Sequence, residues 1–242
     1  MNRKVIAIYQ KADYDLSDIR SACLKLSFPA YVRQSGLPTN TLNINASPRN
    51  GLRTYKCTFT QFRRTQSTAH DIFLDHARKI AKAYRANFIQ AYANQIKYSY
   101  IGSSKVHGAY RIKGTPFTSG VINKDTALGY HRDLANTKDG MSCMLILKKG
   151  VADGELILPE LSIGFACQDG YILLFDRQKY IHGVTPIIPA QSGNGYRYTI
   201  VYNNNKGMSL CLTPEDEEKH YRNHLEKQME SHNLKSQQHN ER

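Results

Sequence analysis

The chain has no tryptophan, no Cys-x-x-Cys pair and no long apolar run, and its first 120 residues contain no glutamate. A helix that crosses a membrane needs about 18 or more mostly apolar residues, so we expect no membrane-spanning segment. The apolar run Val5–Tyr9 is too short for the core of a signal peptide and predicts a first strand. We therefore expect an intracellular protein, in the cytoplasm or, in a eukaryote, in the nucleus.

The five cysteines are scattered along the chain, which argues against a zinc knuckle. An odd number of cysteines in an intracellular protein favours free, mostly buried thiols. We therefore expect no structural zinc and no disulfide framework.

The net charge of +13 is concentrated in the first half of the chain. Residues 1–120 hold 19 Lys or Arg and five Asp, residues 121–212 hold nine Lys or Arg and eight acids, and residues 213–242 hold five Lys or Arg and seven acids. A field of one sign suits a polyanionic partner such as nucleic acid. The alternative is a set of solvated side chains that only keeps the protein soluble.

A chain of 242 residues fits one domain with a decorated edge. We predict a single domain over residues 1–212, made of a basic N-terminal half over 1–116 and a metal-binding β core over 117–202. Residues 213–242 are predicted to form a C-terminal helix and a disordered tail.

Two segments have helical signals. Apolar residues recur at helical spacing from about Thr68 to Tyr98, which predicts a long helix, whole or broken, that supports a sheet. Thr68 resembles its N-terminal cap. A second helix is predicted to start at Thr213-Pro214-Glu215, and the polar chain after Ser231 is predicted to be disordered.

From about Tyr100, short apolar runs alternate with turn signals such as Asp169-Gly170. This pattern predicts an antiparallel β sandwich or barrel. The fold class expected for the whole chain is therefore α+β with a mainly β core.

Four residues of this β-rich region carry the strongest chemical signal: His131, Asp133, His182 and Arg197. His131 and Asp133 stand two apart at a strand edge, where they share a face. Two imidazoles and one carboxylate can hold an iron(II) ion and leave other coordination positions open. Arg197 lies on a later strand with Thr199 on the same face. Its guanidinium can bind the far carboxylate of 2-oxoglutarate through two hydrogen bonds, and Thr199 can add a third.

Two other histidines stand two residues before an acid, in His224/Glu226 and His239/Glu241. The first pair lies on the predicted C-terminal helix, where residues two apart point in different directions, and the second lies in the tail. A core histidine is the alternative for His182 alone, but the four residues in this order favour an oxygenase.

The region of these residues resembles the Tet and J-binding-protein (Tet/JBP) family of 2-oxoglutarate- and Fe(II)-dependent dioxygenases, over about Phe117 to Tyr202. The resemblance rests on Phe117–Asn123, His131–Asn136, Gly140–Leu145, Gly154–Leu156, Pro159-Glu160, His182–Pro186 and Arg197–Thr199. Asp169-Gly170 reverses the usual Gly-Asp order, and the cysteine-rich zinc segment of the Tet proteins is missing. The chain therefore resembles a compact member of microbial or phage type.

The resemblance implies a double-stranded β-helix, of the jelly-roll or cupin type, buttressed by helices. It implies that His131, Asp133 and His182 hold iron(II), that Arg197 and Thr199 bind 2-oxoglutarate, and that dioxygen is the co-reactant. The implied reaction is hydroxylation of the 5-methyl group of a pyrimidine, 5-methylcytosine or thymine, in nucleic acid and foremost in DNA.

A methyl group inside a stacked duplex cannot reach a metal in a pocket, so the base must be flipped out or lie on a single strand. Asn136 matches a family position beside the target base, and Asn123 is a second candidate contact. Arg49 and Arg53 lie in a loop that either clamps a phosphate or reaches over a substrate, or is only a solvated connection.

A flipped base also needs a stacking partner, for which Tyr130 and Phe117 are candidates, although each such residue is more often simply core. Two other functions remain open: a hydroxylase of a protein side chain or small molecule, and a catalytically silent nucleic-acid-binding relative. The charge of residues 1–120 argues against the first, and the complete set of four chemical residues argues against the second. No obligate protein partner is inferred.

Overall fold

The computed structural model describes residues 5–29, 40–49, 55–101, 105–189 and 193–240, with side chains described as far as residue 232. The helices in these ranges are α1 Ser17–Leu24, α2 Gln61–Thr65, α3 Ser67–Asn87, α4 Ile89–Tyr100 and α5 Pro214–Asn240. The strands are β1 Ala7–Lys11, β2 Asn40–Ser47, β3 Thr58–Phe59, β4 Ser119–Lys124, β5 Ser142–Lys149, β6 Val151–Asp153, β7 Leu156–Leu158, β8 Ile163–Phe165, β9 Tyr171–Phe175, β10 Gly183–Val184, β11 Ile187–Pro189 and β12 Tyr196–Asn203.

The largest sheet has seven strands in the order β1-β9-β5-β12-β4-β2-β3, and its paired strands are antiparallel. Two smaller sheets have the orders β10-β7-β8 and β11-β6. The strands β1 and β2 of the basic N-terminal half therefore extend the same sheet as the strands of residues 117–202. The expectation of an α+β protein with a mainly β core is confirmed.

Alternate residues of the central strand β12 enter two different cores, as the period of two in a strand requires. Tyr198 and Ile200 pack in a cluster with helix residues such as Phe73 of α3. Val201 points the other way, into a cluster with Phe175 and with residues of β7. The helices α1 to α4 thus cover the outer face of the large sheet, while its inner face encloses an interior with the smaller sheets.

The long helix predicted from Thr68 to Tyr98 is two helices, α3 and α4. They meet at Phe88, whose φ of −136° and ψ of 57° lie outside the helical region. Gln66 occupies the N-cap position of α3 and makes no side-chain capping hydrogen bond. The prediction that Thr68 caps this helix is therefore wrong, because Thr68 lies inside it. Within the described residues, no helix combines the length and the apolar character that crossing a bilayer requires.

The C-terminal helix begins as predicted, with Pro214 in its first turn and Thr213 Oγ1 accepting a hydrogen bond from the N–H of Asp216. It continues to Asn240, so the tail predicted to be disordered after Ser231 is helical. The reason lies in the residues that follow Ser231, which include no glycine or proline to stop a helix that has already formed.

Cys57 and Cys211 form a disulfide, contrary to the expectation that all the thiols are free. The two residues are 154 positions apart, and the fold brings their Cα atoms to 5.7 Å. Sequence spacing alone could not reveal a pair that only the tertiary structure creates. The thiols of Cys23, Cys143 and Cys167 are free and buried, as predicted.

Candidate active site

The side chains of His131, Asp133 and His182 converge at one place in the fold. Backbone hydrogen bonds hold them there: the N–H of His131 donates to the carbonyl of His182 and the reverse bond has the same length, 2.9 Å. The N–H of Asp133 donates to the carbonyl of Arg177 at 3.0 Å. One ligand atom from each of the three side chains lies within 4.8 Å of the other two. The convergence predicted from the sequence is therefore present.

The hydrogen bonds of the two imidazoles determine which nitrogen faces the site. Nδ1 of His131 lies 2.8 Å from the carbonyl oxygen of Gly129, and Nδ1 of His182 lies 3.1 Å from that of Tyr180. A carbonyl can only accept, so Nδ1 carries the proton in each ring. Both rings therefore present the lone pair of Nε2, which is the form that binds a metal.

Asp133 is held as a charged carboxylate. Its Oδ1 lies 3.4 Å from Nε2 of His131, and its Oδ2 lies 3.1 Å from Nε of Arg177. Burial would raise the pKa of Asp133, but Arg177 and the two histidines outweigh burial and lower it to about 2. Burial, and then the charge of Arg177, lower the pKa of His182 to about 4. At neutral pH the aspartate is charged and His182 is neutral, as metal coordination requires.

This donor set fits iron(II). Two imidazole nitrogens and one carboxylate oxygen on one side of an ion are the ligands of non-haem iron(II) oxygenases, and they leave coordination positions open for other molecules. His131, Asp133 and His182 would hold the ion through Nε2, Oδ1 and Nε2.

Arg197 on β12 is 1% exposed, and within the described ranges its guanidinium has few partners. Nη2 lies 3.5 Å from Sγ of Cys167, and Nε has no hydrogen-bond partner among the described residues. A buried cation is costly unless an anion pairs with it. The unpaired donors therefore fit the distal carboxylate of 2-oxoglutarate, the ligand predicted from the sequence.

The chain makes room for this arginine through Gly154. A Cβ at Gly154 would lie 2.9 Å from Cδ of Arg197, and the φ of +69° at this position also favours glycine. On the other side, the N–H of Arg197 donates to Oδ1 of Asp125 at 2.6 Å. This hydrogen bond holds the backbone of β12 at the residue whose guanidinium enters the interior.

Thr199 lies on the same face of β12 as Arg197 and is 4% exposed. That face leads into the interior core cluster that contains Phe175. The ring of His182 packs edge-on against Phe175, with ring centroids 5.4 Å apart. The candidate metal ligands and the candidate 2-oxoglutarate residues therefore border the same interior.

A cleft of about 440 Å³ opens over His131 and Asp133, and both predicted substrate asparagines line it. Asn123 donates to Oγ1 of Thr199 at 3.4 Å. The amide of Asn136 donates to Ser142 at 3.1 Å and accepts from Asn203 at 2.9 Å. Both asparagines thus line the cleft, and the amide of Asn136 is already bonded to its neighbours.

The predicted phosphate clamp is not part of this cleft. The guanidinium of Arg49 donates two hydrogen bonds to the buried carboxylate of Glu217, from Nε at 2.9 Å and from Nη2 at 2.5 Å. It borders a second cavity instead. Arg53 lies outside the described residues.

The two candidate stacking residues have different environments. Phe117 is fully buried and stacks between Tyr84 and Tyr202, so it belongs to the core and not to a base-binding surface. Tyr130 is 64% exposed beside the candidate ligand His131, and it remains a candidate for stacking.

Sequence reasoning missed Arg177, which contacts two of the three candidate metal ligands. The available signal was an arginine five residues before His182, in the run Asp176-Arg177 that follows a buried strand. It also missed the polar wall of the cleft around Asn203 and Asn205.

The family model of the Tet/JBP oxygenase domain of the 2OGFeDO superfamily matches residues 48–206, and the chain therefore belongs to this family. Its structure is similar to that of NgTET1 in complex with 5mC DNA, with a TM-score of 0.63 and 16% identity over 85% of this chain and 74% of that chain. It is also similar to a 2OG-Fe(II) oxygenase family oxidoreductase from Burkholderia pseudomallei, with a TM-score of 0.54 and 14% identity over 83% of this chain and 85% of that chain. No curated protein matches the sequence.

These similarities confirm the double-stranded β-helix fold. The protein is a 2-oxoglutarate- and Fe(II)-dependent dioxygenase, and its cofactors are iron(II), 2-oxoglutarate and dioxygen. The family match begins at Pro48, well before the region from Phe117 in which the sequence resemblance is specific.

Proposed function

We propose that the protein hydroxylates the 5-methyl group of a pyrimidine in nucleic acid, with DNA that contains 5-methylcytosine or thymine as the substrate. The observation that carries this proposal is membership of the Tet/JBP family, together with the polar cleft over the candidate metal ligands. The similarity of the fold to NgTET1, whose structure was determined with 5mC DNA, supports it.

The cleft suits a nucleobase in size and polarity. Its volume of about 440 Å³ lies in the usual range of small-molecule sites. A flipped base is recognised through hydrogen bonds to its edge, which require amide and hydroxyl groups in the wall. The wall contains several such side chains: Thr41, Asn43, Asn123, Asn136, Asn203 and Asn205.

A second cavity of about 780 Å³ adjoins the cleft and extends it into a groove. The two cavities share Ser47, Pro48 and Ala135, among other residues, and the second continues to the exposed side chain of Arg64. A groove with basic residues is the usual path of a nucleic-acid strand beside an active site. Phosphate contacts from the basic half offset the few kcal/mol that base flipping costs.

Each candidate residue has a role in the proposed reaction. Bound iron(II), with 2-oxoglutarate and dioxygen, supplies the oxidation that converts the methyl group to an alcohol and 2-oxoglutarate to succinate and carbon dioxide. Arg197 and Thr199 bind the distal carboxylate of 2-oxoglutarate, so that the cosubstrate has one orientation. His131, Asp133 and His182 fix the position of the metal beneath the cleft. The target methyl must then enter the cleft, and the exposed ring of Tyr130, next to His131 in the sequence, is our candidate for stacking on the base.

The test is an incubation of the iron-loaded protein with 2-oxoglutarate and matched DNAs that contain thymine or 5-methylcytosine, single-stranded and duplex. The DNA is digested and the nucleosides are weighed by mass spectrometry. We expect one added oxygen atom on one of the two pyrimidines, and none with the Asp133→Ala variant. A fully iron-loaded protein that converts neither pyrimidine would contradict the proposal.

The alternative, a hydroxylase of a protein side chain or small molecule, uses the same metal and cosubstrate residues. Succinate release is therefore measured in parallel with nucleic acids and with a peptide library. Substrate-dependent succinate release with peptides, and none with DNA or RNA, would replace the proposed function by this alternative.

A further inference from the structure

Arg177 lies at the centre of the candidate metal site without being a ligand. It lies two residues after the end of β9 and is 8% exposed. Its Nε lies 3.1 Å from Oδ2 of Asp133 and 3.1 Å from Nε2 of His182, and its Nη2 lies 3.0 Å from the same Nε2. One guanidinium therefore contacts the side chains of two of the three candidate ligands.

The contact with His182 involves the atom that a metal would need. Nδ1 of His182 carries the proton and faces the carbonyl of Tyr180, so Nε2 has the only free lone pair of the ring. That lone pair accepts the hydrogen bond from Arg177. It cannot bind a metal ion and accept this bond at once. Coordination of a metal by His182 therefore breaks the bond to Arg177.

The contact of Arg177 with Asp133, in contrast, can persist when a metal binds. Arg177 binds Oδ2, whereas Oδ1 is the oxygen that faces His131. A metal can bind Oδ1 while the guanidinium keeps Oδ2. The positive charge of Arg177 then remains a few ångströms from a divalent cation, in a buried place where salt screens it weakly. The loss of the hydrogen bond to His182 and the repulsion between the two positive charges both oppose metal binding.

We propose that Arg177 is an internal cation of the metal centre, which pairs with Asp133 and His182, competes with the divalent metal for Nε2 of His182 and repels it through its charge. Its removal leaves a buried carboxylate with too few partners, which lowers stability, and exposes a ligand set that binds a metal more tightly. The inference rests on the assignment of His131, Asp133 and His182 as ligands and is independent of the substrate.

If Arg177 only oriented Asp133, its removal would change the metal affinity in the opposite direction. A residue that only orients a metal-binding aspartate weakens metal binding by about 10–100-fold when it is removed. Competition requires that removal tightens binding. The sign of the change therefore separates the two roles, and a general loss of packing does not produce tighter binding.

The experiment is a titration of the full-length Arg177→Met variant with Mn(II), without 2-oxoglutarate, in which free Mn(II) is measured by its electron paramagnetic resonance signal. We expect the Kd to fall about tenfold, because one hydrogen bond to a charged group is worth about that factor. In the absence of metal, the Tm of the variant should fall below that of the parent protein. Saturating Mn(II) should then raise the Tm of the variant more than that of the parent.

Arg132→Met is the matched control. Arg132 stands between the ligands His131 and Asp133 in the sequence, but its side chain is 40% exposed and pairs with Glu160. The control removes the same formal charge without breaking a contact to a ligand atom. We expect its Kd for Mn(II) to stay within about twofold of the parent, because water and salt screen an exposed charge.

A second neutral variant, Arg177→Gln, keeps a hydrogen-bond donor near Asp133 and serves if Arg177→Met does not fold. It should also bind Mn(II) more tightly than the parent protein does. Unchanged or weaker binding in a folded neutral variant would overturn the proposal. Equal tightening in the Arg132→Met control would overturn it as well, because the effect would then be one of net charge alone.

Discussion

His131 and His182 are joined through their backbones, each donating its N–H to the carbonyl oxygen of the other at 2.9 Å. They are 51 residues apart in the sequence. The pairing sets the separation of the two imidazoles before any metal is considered, and the rings themselves lie with centroids 4.4 Å apart. The candidate metal site therefore rests on a backbone β-bridge between two segments that lie outside the named strands.

Because backbone bonds hold this arrangement, the ligand side chains can be removed without loss of the fold. We expect His131→Ala and Asp133→Ala to abolish turnover and to weaken Mn(II) binding by at least about a hundredfold. The far-UV circular dichroism spectrum should stay that of the parent protein. His220→Ala, which removes an exposed histidine of α5, is the control and should retain full activity. Retained activity in an iron-reconstituted His131→Ala protein would contradict the ligand assignment.

The second prediction concerns Arg197, whose buried guanidinium donates a hydrogen bond to the thiol of Cys167 and to no other side chain among the residues that the structure describes. Arg197→Met should raise the KM for 2-oxoglutarate about 30–100-fold, since it removes charge-assisted hydrogen bonds to a carboxylate. Tm should change little or rise, because the side chain is a buried cation without an anionic partner among the described residues. Arg222→Met, an exposed arginine on α5, is the control. An unchanged KM for 2-oxoglutarate would exclude the assigned role.

The third prediction follows from Glu217 at the start of α5, which is 1% exposed. Burial would raise the pKa of this carboxyl, but hydrogen bonds from Arg49 and from the N–H groups of Leu212 and Cys57 lower it below its usual range. A carboxyl with a lowered pKa in the folded state adds stability above its unfolded pKa, and this contribution disappears as the pH falls through the folded value. Tm should therefore fall with acid more steeply in the parent protein than in Glu217→Gln.

At neutral pH, Glu217→Gln should itself lower the free energy of unfolding by about 2 kcal/mol, since Arg49 then loses its charged partner. Glu226→Gln, on the same helix, is the control and should leave the Tm and its pH dependence as they are. If the curves of Tm against pH for the parent protein and Glu217→Gln are parallel, the pKa of Glu217 is not lowered in the folded state.

The fourth prediction concerns the Cys57–Cys211 disulfide, which closes a loop of 154 positions. Cross-links over long loops stabilise mainly by restricting the unfolded chain, by about 2–4 kcal/mol in typical cases. A reducing agent should therefore lower the Tm of the parent protein. Cys57→Ser, which cannot form the cross-link, should have a Tm close to that of the reduced parent protein, and the reducing agent should not change it. If reduction leaves the Tm of the parent protein unchanged, the two thiols are not cross-linked in solution.

The sequence was sufficient to group His131, Asp133 and His182 by their ordered motif, although His131 lies at an isolated bridge and not at the predicted strand edge. It also placed Arg197 and Thr199 on one face of a strand, because side chains alternate along a strand with a period of two. It was insufficient for Arg177, because nothing in the local pattern indicates that this side chain turns towards Asp133. The same holds for the pairing of Arg49 with Glu217, which only the packing of α5 creates. Strand periodicity is a local property, whereas these contacts join distant parts of the chain.

The last prediction tests the nucleic-acid partner through salt. Affinity for DNA should fall steeply between low and physiological ionic strength, because each phosphate that is neutralised releases counterions. Arg64→Ala, in the groove beside the cleft, should weaken binding similarly for all sequences and reduce the slope of log K against log salt by about one. Arg222→Ala on α5 removes an exposed charge outside both cavities and should leave the slope unchanged. DNA binding that is indifferent to ionic strength would remove the argument from charge, and the proposed function would then depend on the family and the cleft alone.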